Sequence, residues 1–341
     1  MKLKLKIAIA IGIIVAGCGI FAGVDYYQRI ARPRIVVNRR IRRNVDLVDH
    51  VDNHRVGQPD LIRNAQSPKL KLARSVVAMD ARTGQIVYQR NPNQPRRIAS
   101  VSKLMTLYLV EQKANRDHAW HQTDRFTNDA QLRRMSKSKI LGGFKFQRHH
   151  RYTVSDLFKA ALVRSSNSSA IALGEWVAGS NRNFIKLMNA QARAWHLRAH
   201  FISASGLEND DLKKYGLRIT GGDNGANFVS AKSVAVIAQH LLARYPSITK
   251  VSGQKTLQVA GQTINNANSL LPGQEFAQPN LPVDGLKTGF TPRAGYCFVG
   301  TGKRKHHDRI ITVVLHDANE FTDTRSLMKF VYRDSQLFNR K

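Results

Sequence analysis

The chain has 341 residues, of which 54 are Lys or Arg and 23 are Asp or Glu, so its formal net charge is +31. An apolar content of 42% supports a sizeable folded core and excludes a disordered basic tail. Its two cysteines, Cys18 and Cys297, exclude a disulfide-rich scaffold and a four-thiolate zinc site. The positive charge predicts an anionic partner, and the candidates are nucleic acid, anionic lipid and an acidic wall polymer.

Residues 1–24 predict an N-terminal membrane anchor or signal segment. A lysine-rich leader precedes an uncharged run at 7–24, which is just long enough for a spanning helix. The sequence before Cys18 is also similar to a lipoprotein cleavage box, so lipidation is an alternative to an uncleaved anchor. Seven arginines between residues 29 and 43 follow the apolar run. By the positive-inside rule they favour a cytoplasmic location for the residues after the run, which conflicts with export of the rest of the chain.

Residues 25–71 predict a basic spacer, because they contain three prolines and no sustained apolar period. The globular pattern begins at about residue 72. A strand pattern at 75–80, a turn and a second strand at 85–89 predict a hairpin. Residues 99–111 are apolar on nearly every side, which predicts a buried helix.

The middle of the chain is predicted to be helical and its end to return to strands. Two helices are expected within 153–178, the first capped by Thr153 or Ser155, and further helices at 183–195 and 231–244. Strands at 296–301 and 309–315 and a closing helix at 322–337 follow. This order predicts one sheet completed from both ends of the chain, an inserted helical lobe, and a cleft between them.

Three short motifs carry the chemistry. They occur in the order Ser100-Val101-Ser102-Lys103, Ser165-Ser166-Asn167 and Lys287-Thr288-Gly289. The Ser-x-x-Lys pattern alone is weak, because the chain repeats it at 136, 247, 252 and 326. Taken by itself, Ser100 is also explained as a helix cap that has a lysine nearby.

The context of Ser100 favours a nucleophile. It stands at the start of the buried helix, where developing negative charge is stabilised, and Lys103 lies on the same helix face. A serine hydroxyl attacks only when a base accepts its proton. A lysine whose pKa is lowered by burial and by neighbouring cations can be that base.

The ordered motifs resemble those of penicillin-binding proteins and serine β-lactamases. The segments RRIASVSKLMTLYLVE, LVRSSNSSAIALGEWVAG and VDGLKTGFTPRAGYC are similar to the D-alanyl-D-alanine carboxypeptidases, the low-molecular-mass penicillin-binding proteins. The resemblance covers about residues 72–341. It implies an α/β (α+β) fold of the β-lactamase/DD-peptidase type, with an antiparallel sheet flanked by helices and an inserted helical lobe.

The resemblance implies a role for each motif residue. Ser100 would attack the carbonyl of the penultimate D-alanine, and Lys103 would be its base. Ser165 and Lys287 would relay a proton to the leaving D-alanine. The substrate-binding residues would be Asn167 through its amide, Thr288 at the terminal carboxylate, Gly289 through its bare backbone, and Phe290, whose N–H would form the oxyanion hole with that of Ser100.

The resemblance also implies partners and a location. The substrate would be the peptidoglycan stem peptide, and β-lactams would be covalent inhibitors. The catalytic domain at 72–341 would then work on the extracytoplasmic face of a bacterial membrane, attached through the N-terminal segment and near anionic wall polymers. No cofactor, metal or nucleic acid is expected, and no C-terminal β-domain is expected after the closing helix.

The chain departs from the family pattern at two places, and other functions remain alternatives. The second motif reads Ser-Ser-Asn where Ser-Gly-Asn is commoner, and SASGL replaces the usual Asn-Pro-Ser-Gly-Leu. A β-lactamase, or an endopeptidase or transpeptidase that uses the same site, is the nearest alternative. A basic protein that binds nucleic acid or the wall without catalysis is a distant one.

Overall fold

The computed structural model describes residues 67–70, 72–123 and 125–335. The predicted anchor at 1–24 and almost all of the predicted spacer at 25–71 lie outside these residues. Within the described part of the chain, no helix is both long and apolar enough to span a bilayer.

The described residues form ten strands and nine α-helices. In chain order the strands are β1 (Ser75–Asp80), β2 (Ile86–Arg90), β3 (Pro95–Arg97), β4 (Ala199–His200), β5 (Phe228–Ser230), β6 (Thr256–Val259), β7 (Gln262–Asn265), β8 (Val283–Thr291), β9 (Gly295–Lys303) and β10 (Arg309–Asp317). The helices are α1 (Lys103–Arg116), α2 (Ala130–Ser136), α3 (Val154–Val163), α4 (Asn167–Ala178), α5 (Asn181–Ala194), α6 (Asn209–Lys213), α7 (Ala231–Arg244), α8 (Ile248–Ser252) and α9 (Glu320–Asp334).

The main sheet has five strands in the order β2-β1-β10-β9-β8, and every neighbouring pair is antiparallel. Ser75 of β1 pairs with Leu315 of β10, which confirms the sheet completed from both ends of the chain. Strand β1 is buried along its whole length, because alternate side chains enter two different cores. Val77 packs into the core shared with the helical lobe, whereas Val76 packs with α9 on the other face.

The helical lobe lies between β3 and β8 in the sequence, as predicted. Helix α1 passes through its core and packs against α3, α4 and α7. The ring of Tyr108 meets Trp195 edge to face at 4.7 Å, and both side chains are fully buried. The lobe therefore fixes α1 on several sides, which holds the residues at its start in place.

The predicted elements agree with the structure apart from their ends. Thr153 caps α3 in a reciprocal capping box with Asp156, which decides between the two predicted caps. The closing helix begins two residues earlier than predicted, at Glu320, because Asn319 accepts a hydrogen bond from the Thr322 N–H. No sequence pattern predicted β8, the small sheet β3-β5-β4, the hairpin β6-β7, or the short helices α2, α6 and α8.

Candidate active site

Ser100 lies in a single 3₁₀ turn, Ala99–Ser102, which leads directly into α1. The turn is closed by a hydrogen bond of 2.7 Å from the Ser102 hydroxyl to the Ala99 carbonyl. Ala99 has a φ of 45°, which is uncommon for a residue with a side chain. Backbone strain of this kind is held by the surrounding structure and is concentrated at functional sites.

The Lys103 amine lies at the centre of the site. Its Nζ is 2.7 Å from the Ser100 Oγ, and it donates hydrogen bonds of 2.7 Å to the Asn167 Oδ1 and the Ser205 carbonyl. The side chain is fully buried, and this burial lowers the pKa of Lys103 well below its usual value. The charge of Lys287 lowers that pKa further.

These contacts define what a neutral Lys103 amine can do. The oxygens of Asn167 and Ser205 can only accept hydrogen bonds, so they take the two N–H groups of the neutral amine. Its lone pair is then left for the third neighbour, the hydroxyl of Ser100. The geometry therefore suits proton transfer from Ser100 to Lys103.

The second motif occupies the turn between α3 and α4. Ser165 is half-buried there with a left-handed φ of 61°. Ser166 accepts a hydrogen bond from the Ser169 N–H and caps α4. Its φ of −54° is ordinary, which explains why a serine is accommodated where the family commonly has glycine.

Asn167 uses both ends of its amide within the protein. Its Oδ1 accepts from Lys103, and its Nδ2 donates 2.8 Å to the Leu141 carbonyl. Asn167 therefore positions the Lys103 amine and ties it to the loop at Leu141. Binding of substrate by this amide stays a prediction.

The third motif lies on β8, the edge strand of the sheet nearest the Ser100 turn. Lys287 is buried, its Nζ donates to the Thr288 carbonyl at 3.1 Å, and burial lowers its pKa to about 7. Thr288 is half-buried, and the Phe290 side chain is 52% exposed and packs on Tyr296 at 4.5 Å. This end of β8 is thus open to a ligand.

Gly289 brings β8 against the Ser100 turn. A Cβ at this position would lie 2.9 Å from the Ile98 carbonyl oxygen, 3.0 Å from the Val101 nitrogen and 3.1 Å from the Ser100 nitrogen. Side-chain atoms do not approach backbone this closely, so only glycine lets the two segments touch. The first and third motifs therefore meet through their backbones.

The loop 203–207 forms another side of the site and was not predicted. Gly206 has a φ of 85°, and a Cβ there would lie 1.9 Å from the Ala99 carbonyl oxygen. This contact places the Ser205 carbonyl on Lys103. A backbone carbonyl has no signature in the sequence, although the glycine of SASGL is a signal of close approach.

A buried carboxylate, also not predicted, follows this loop. Glu208 is 4% exposed and accepts hydrogen bonds of 2.8 Å from the Thr291 hydroxyl and from Arg293. The Arg97 side chain, which precedes the Ser100 turn, lies 3.6 Å from the same carboxylate. Glu208 therefore connects the three segments that carry the Ser100 turn, the Lys103 contact and the end of β8.

Cys297 of β9 pairs with Gly289 of β8 and is fully buried, and burial raises the pKa of its thiol to about 12. Among the described residues, no group of three or more His, Cys, Asp or Glu side chains is arranged to hold a metal ion.

The sequence and fold place the chain among known proteins. The family model described as D-alanyl-D-alanine carboxypeptidase matches residues 62–319. The D-alanyl-D-alanine carboxypeptidase DacD of Escherichia coli is 31% identical over 73% of this chain and 59% of its own length. The first curated relatives are matched over 57–59% of their length, so the chain spans less than three fifths of them.

Two solved structures share the fold. Penicillin-binding protein 3 of Streptococcus pneumoniae, described as a peptidoglycan synthesis regulatory factor, has a TM-score of 0.71 and 32% identity, over 76% of this chain and 73% of its own. Penicillin-binding protein D2 of Listeria monocytogenes, solved with ampicillin bound, has a TM-score of 0.63 and 27% identity, over 78% of this chain and 100% of its own. The chain therefore belongs to the D-alanyl-D-alanine carboxypeptidase family, with the α/β DD-peptidase fold.

Proposed function

We propose that the chain is a serine-type D-Ala-D-Ala carboxypeptidase that removes the terminal D-alanine from peptidoglycan stem pentapeptides. The observation that carries the proposal is the buried Lys103 amine, 2.7 Å from the Ser100 Oγ and held by two obligate acceptors. Burial and the charge of Lys287 lower the pKa of this amine, which favours the neutral form, and the two acceptors direct its remaining lone pair at the hydroxyl, as a general base requires.

In the acylation step, the Ser100 Oγ attacks the carbonyl carbon of the penultimate D-alanine and its proton passes to Lys103. The oxyanion formed is stabilised by the N–H groups of Ser100 and Phe290, since Gly289 lets the two segments touch. The C–N bond then breaks, and the leaving D-alanine takes a proton relayed through Ser165 and Lys287. Water hydrolyses the acyl-enzyme, which releases the shortened peptide and restores Ser100.

The edge of β8 supports this substrate class. An extended peptide can add to an unpaired strand edge by main-chain hydrogen bonds. Thr288 and the ammonium form of Lys287 suit a ligand that ends in a free carboxylate. Because the pKa of Lys287 is about 7, this residue can both bind an anion and transfer a proton near neutral pH.

The proposed substrate sets the proposed location. Peptidoglycan lies outside the membrane, so residues 72–341 would act there as the catalytic domain, attached through the segment at 1–24. β-Lactams would acylate Ser100, in keeping with the ampicillin-bound relative. A chain with a net charge of +31 would also attract anionic wall polymers.

The test is release of D-alanine from a pentapeptide that ends in D-Ala-D-Ala. The full chain should release D-alanine and be labelled covalently by fluorescent penicillin, and Ser100→Ala should abolish both. Ser247→Ala, in the Ser-x-x-Lys copy that precedes α8, is the matched control and should keep both. Hydrolysis of β-lactam without D-alanine release would replace the proposal with a β-lactamase, and cleavage of cross-linked peptides alone would replace it with an endopeptidase.

A further inference from the structure

The surface beside the second motif has a high concentration of positive charge. Residues 130–153, called here the cationic segment, contain no Asp or Glu. Their seven Lys and Arg side chains are Arg133, Arg134, Lys137, Lys139, Lys145, Arg148 and Arg151. All are exposed except Arg133, which is half-buried.

None of these seven cations forms an ion pair with a carboxylate among the described residues. Other cations of the molecule do, as Lys113 does with Asp117 at 2.9 Å and Lys213 with Asp223 at 3.0 Å. Unpaired like charges repel one another and do not stabilise the fold. Their charge is therefore available to an anion from outside.

The cationic segment is attached to the turn that carries Ser165. The Leu141 carbonyl accepts from Asn167, and the Leu132 carbonyl accepts from the Ser168 hydroxyl at 3.0 Å. A Cβ at Gly143 would lie 3.1 Å from the Arg164 carbonyl oxygen. A ligand bound along the segment would thus lie at the rim of the candidate active site.

We infer that the cationic segment is a docking surface for an anionic phosphodiester polymer of the cell wall. This inference rests on the proposed function, which sets the polymers that surround the chain. A polymer with regularly spaced phosphates can neutralise several exposed cations at once and release their counterions. Docking there would hold the enzyme on the wall with the rim of the site next to the polymer-bearing peptidoglycan.

The apolar side chains of the segment favour a polymer over a lipid surface. Ile140 is 91% exposed, but Phe144 and Phe146 are buried in the core. Binding in the plane of a membrane requires a continuous apolar face beside the basic one. A single exposed isoleucine does not provide such a face.

The test compares two variants of equal net charge, both as the full chain in nonionic detergent. The segment variant carries Gln at Lys137, Lys139, Lys145 and Arg148, and the control variant carries Gln at the exposed Lys250, Lys303, Lys305 and Lys329. The probes are soluble polyglycerol phosphate and vesicles of phosphatidylcholine with phosphatidylglycerol. The segment variant should bind the polymer about tenfold more weakly and with a shallower salt dependence, while the control stays within about twofold of the unaltered chain.

Equal weakening in both variants would overturn the inference, because the total charge and not the segment would then govern binding. Loss of vesicle binding with unchanged polymer binding would overturn it in favour of lipid. Penicillin labelling of Ser100 is read in parallel and should be unchanged in both variants. A failure of labelling in the unaltered chain would contradict the proposed function and leave the polymer result to be judged separately.

Discussion

The Thr291 hydroxyl donates a hydrogen bond of 2.8 Å to the buried carboxylate of Glu208. Thr291 follows Phe290 directly on β8, and Glu208 follows the loop whose Ser205 carbonyl holds Lys103. This contact therefore connects the strand of Phe290, the proposed oxyanion donor, to the loop that holds Lys103, the proposed base. It is reinforced by Arg293, which donates to the other carboxylate oxygen at 2.8 Å.

Glu208→Gln tests this positioning role. The amide keeps an oxygen for Thr291 but presents an N–H group to Arg293, so the ion pair is lost. We expect the free energy of unfolding to fall by about 1–3 kcal/mol and acylation by fluorescent penicillin to slow by about tenfold. Urea unfolding and the second-order labelling rate measure the two effects, and an unchanged labelling rate would limit Glu208 to a structural role.

Gly289→Ala should separate β8 from the Ser100 turn. The new methyl group would lie within about 3 Å of three backbone atoms, so one segment must move and the proposed oxyanion donors should lose their alignment. Loss of one such donor typically costs about 10²–10³ in rate. Gly222→Ala is the matched control, since a Cβ there has open space and should leave labelling unchanged. Equal labelling by both variants would contradict the close contact.

The pH dependence of acylation should report the buried lysine pair. Lys103 must be neutral to accept a proton, and the pKa values of both Lys103 and Lys287 are lowered by burial. The rate should therefore rise as pH increases through the apparent pKa values of the pair, of which that of Lys287 is about 7. Lys103→Arg, which stays protonated, should abolish labelling across the range. A rate independent of pH between 5 and 8 would contradict a contribution of Lys287 to this pH dependence.

A buried acid far from the motifs should lower stability as pH rises. Glu111 on α1 is 5% exposed, and burial raises its pKa to about 7, although a hydrogen bond from Asn115 opposes this. The folded state thus retains a proton that the unfolded state loses above about pH 4.5. The contribution of Glu111 to stability is therefore most favourable below about pH 4.5 and becomes less favourable as pH rises towards 7.

Glu111→Gln should remove this pH dependence. The gain in unfolding free energy should be on the order of 1–3 kcal/mol at pH 8 and small at pH 5, as measured by thermal unfolding at both values. Glu275→Gln, at an exposed glutamate, controls for the loss of one charge. A gain of the same size at both pH values would mean that packing, and not ionisation, is responsible.

The parts of the fold that sequence reasoning predicted are those with strong local patterns. Helix α7 has the predicted bounds of 231–244, because its apolar period is regular and Ser230 caps it. Strand β8 was missed because Gly285, Lys287 and Gly289 interrupt any alternation of apolar residues. These residues are placed by tertiary contacts. Gly289 contacts the Ser100 turn, and Lys287 is buried. Local strand propensity does not report such contacts.

The site was predictable where chemistry depends on side-chain type and spacing. The contact between Lys103 and Ser100 follows from helical periodicity. The contact between Lys103 and Asn167 was not predicted, because the amide of Asn167 was assigned to the substrate. The Ser205 carbonyl and the Glu208 carboxylate were not predicted. Every residue has a backbone carbonyl, so the sequence does not indicate which one contacts Lys103. The partners of Glu208 are distant in the sequence, so only the folded structure shows that they meet.

The position of β1 beside β10 has a consequence for the order of events during synthesis. Ser75 emerges early from the ribosome, but its partner Leu315 follows 240 residues later. Until then the hydrophobic side chains of β1 and of the helices have no completed sheet on which to pack. Contacts of such long range form late. The contact of the Ser100 turn with Gly289 likewise joins segments that are far apart in the chain, so the candidate site is completed only when the sheet is.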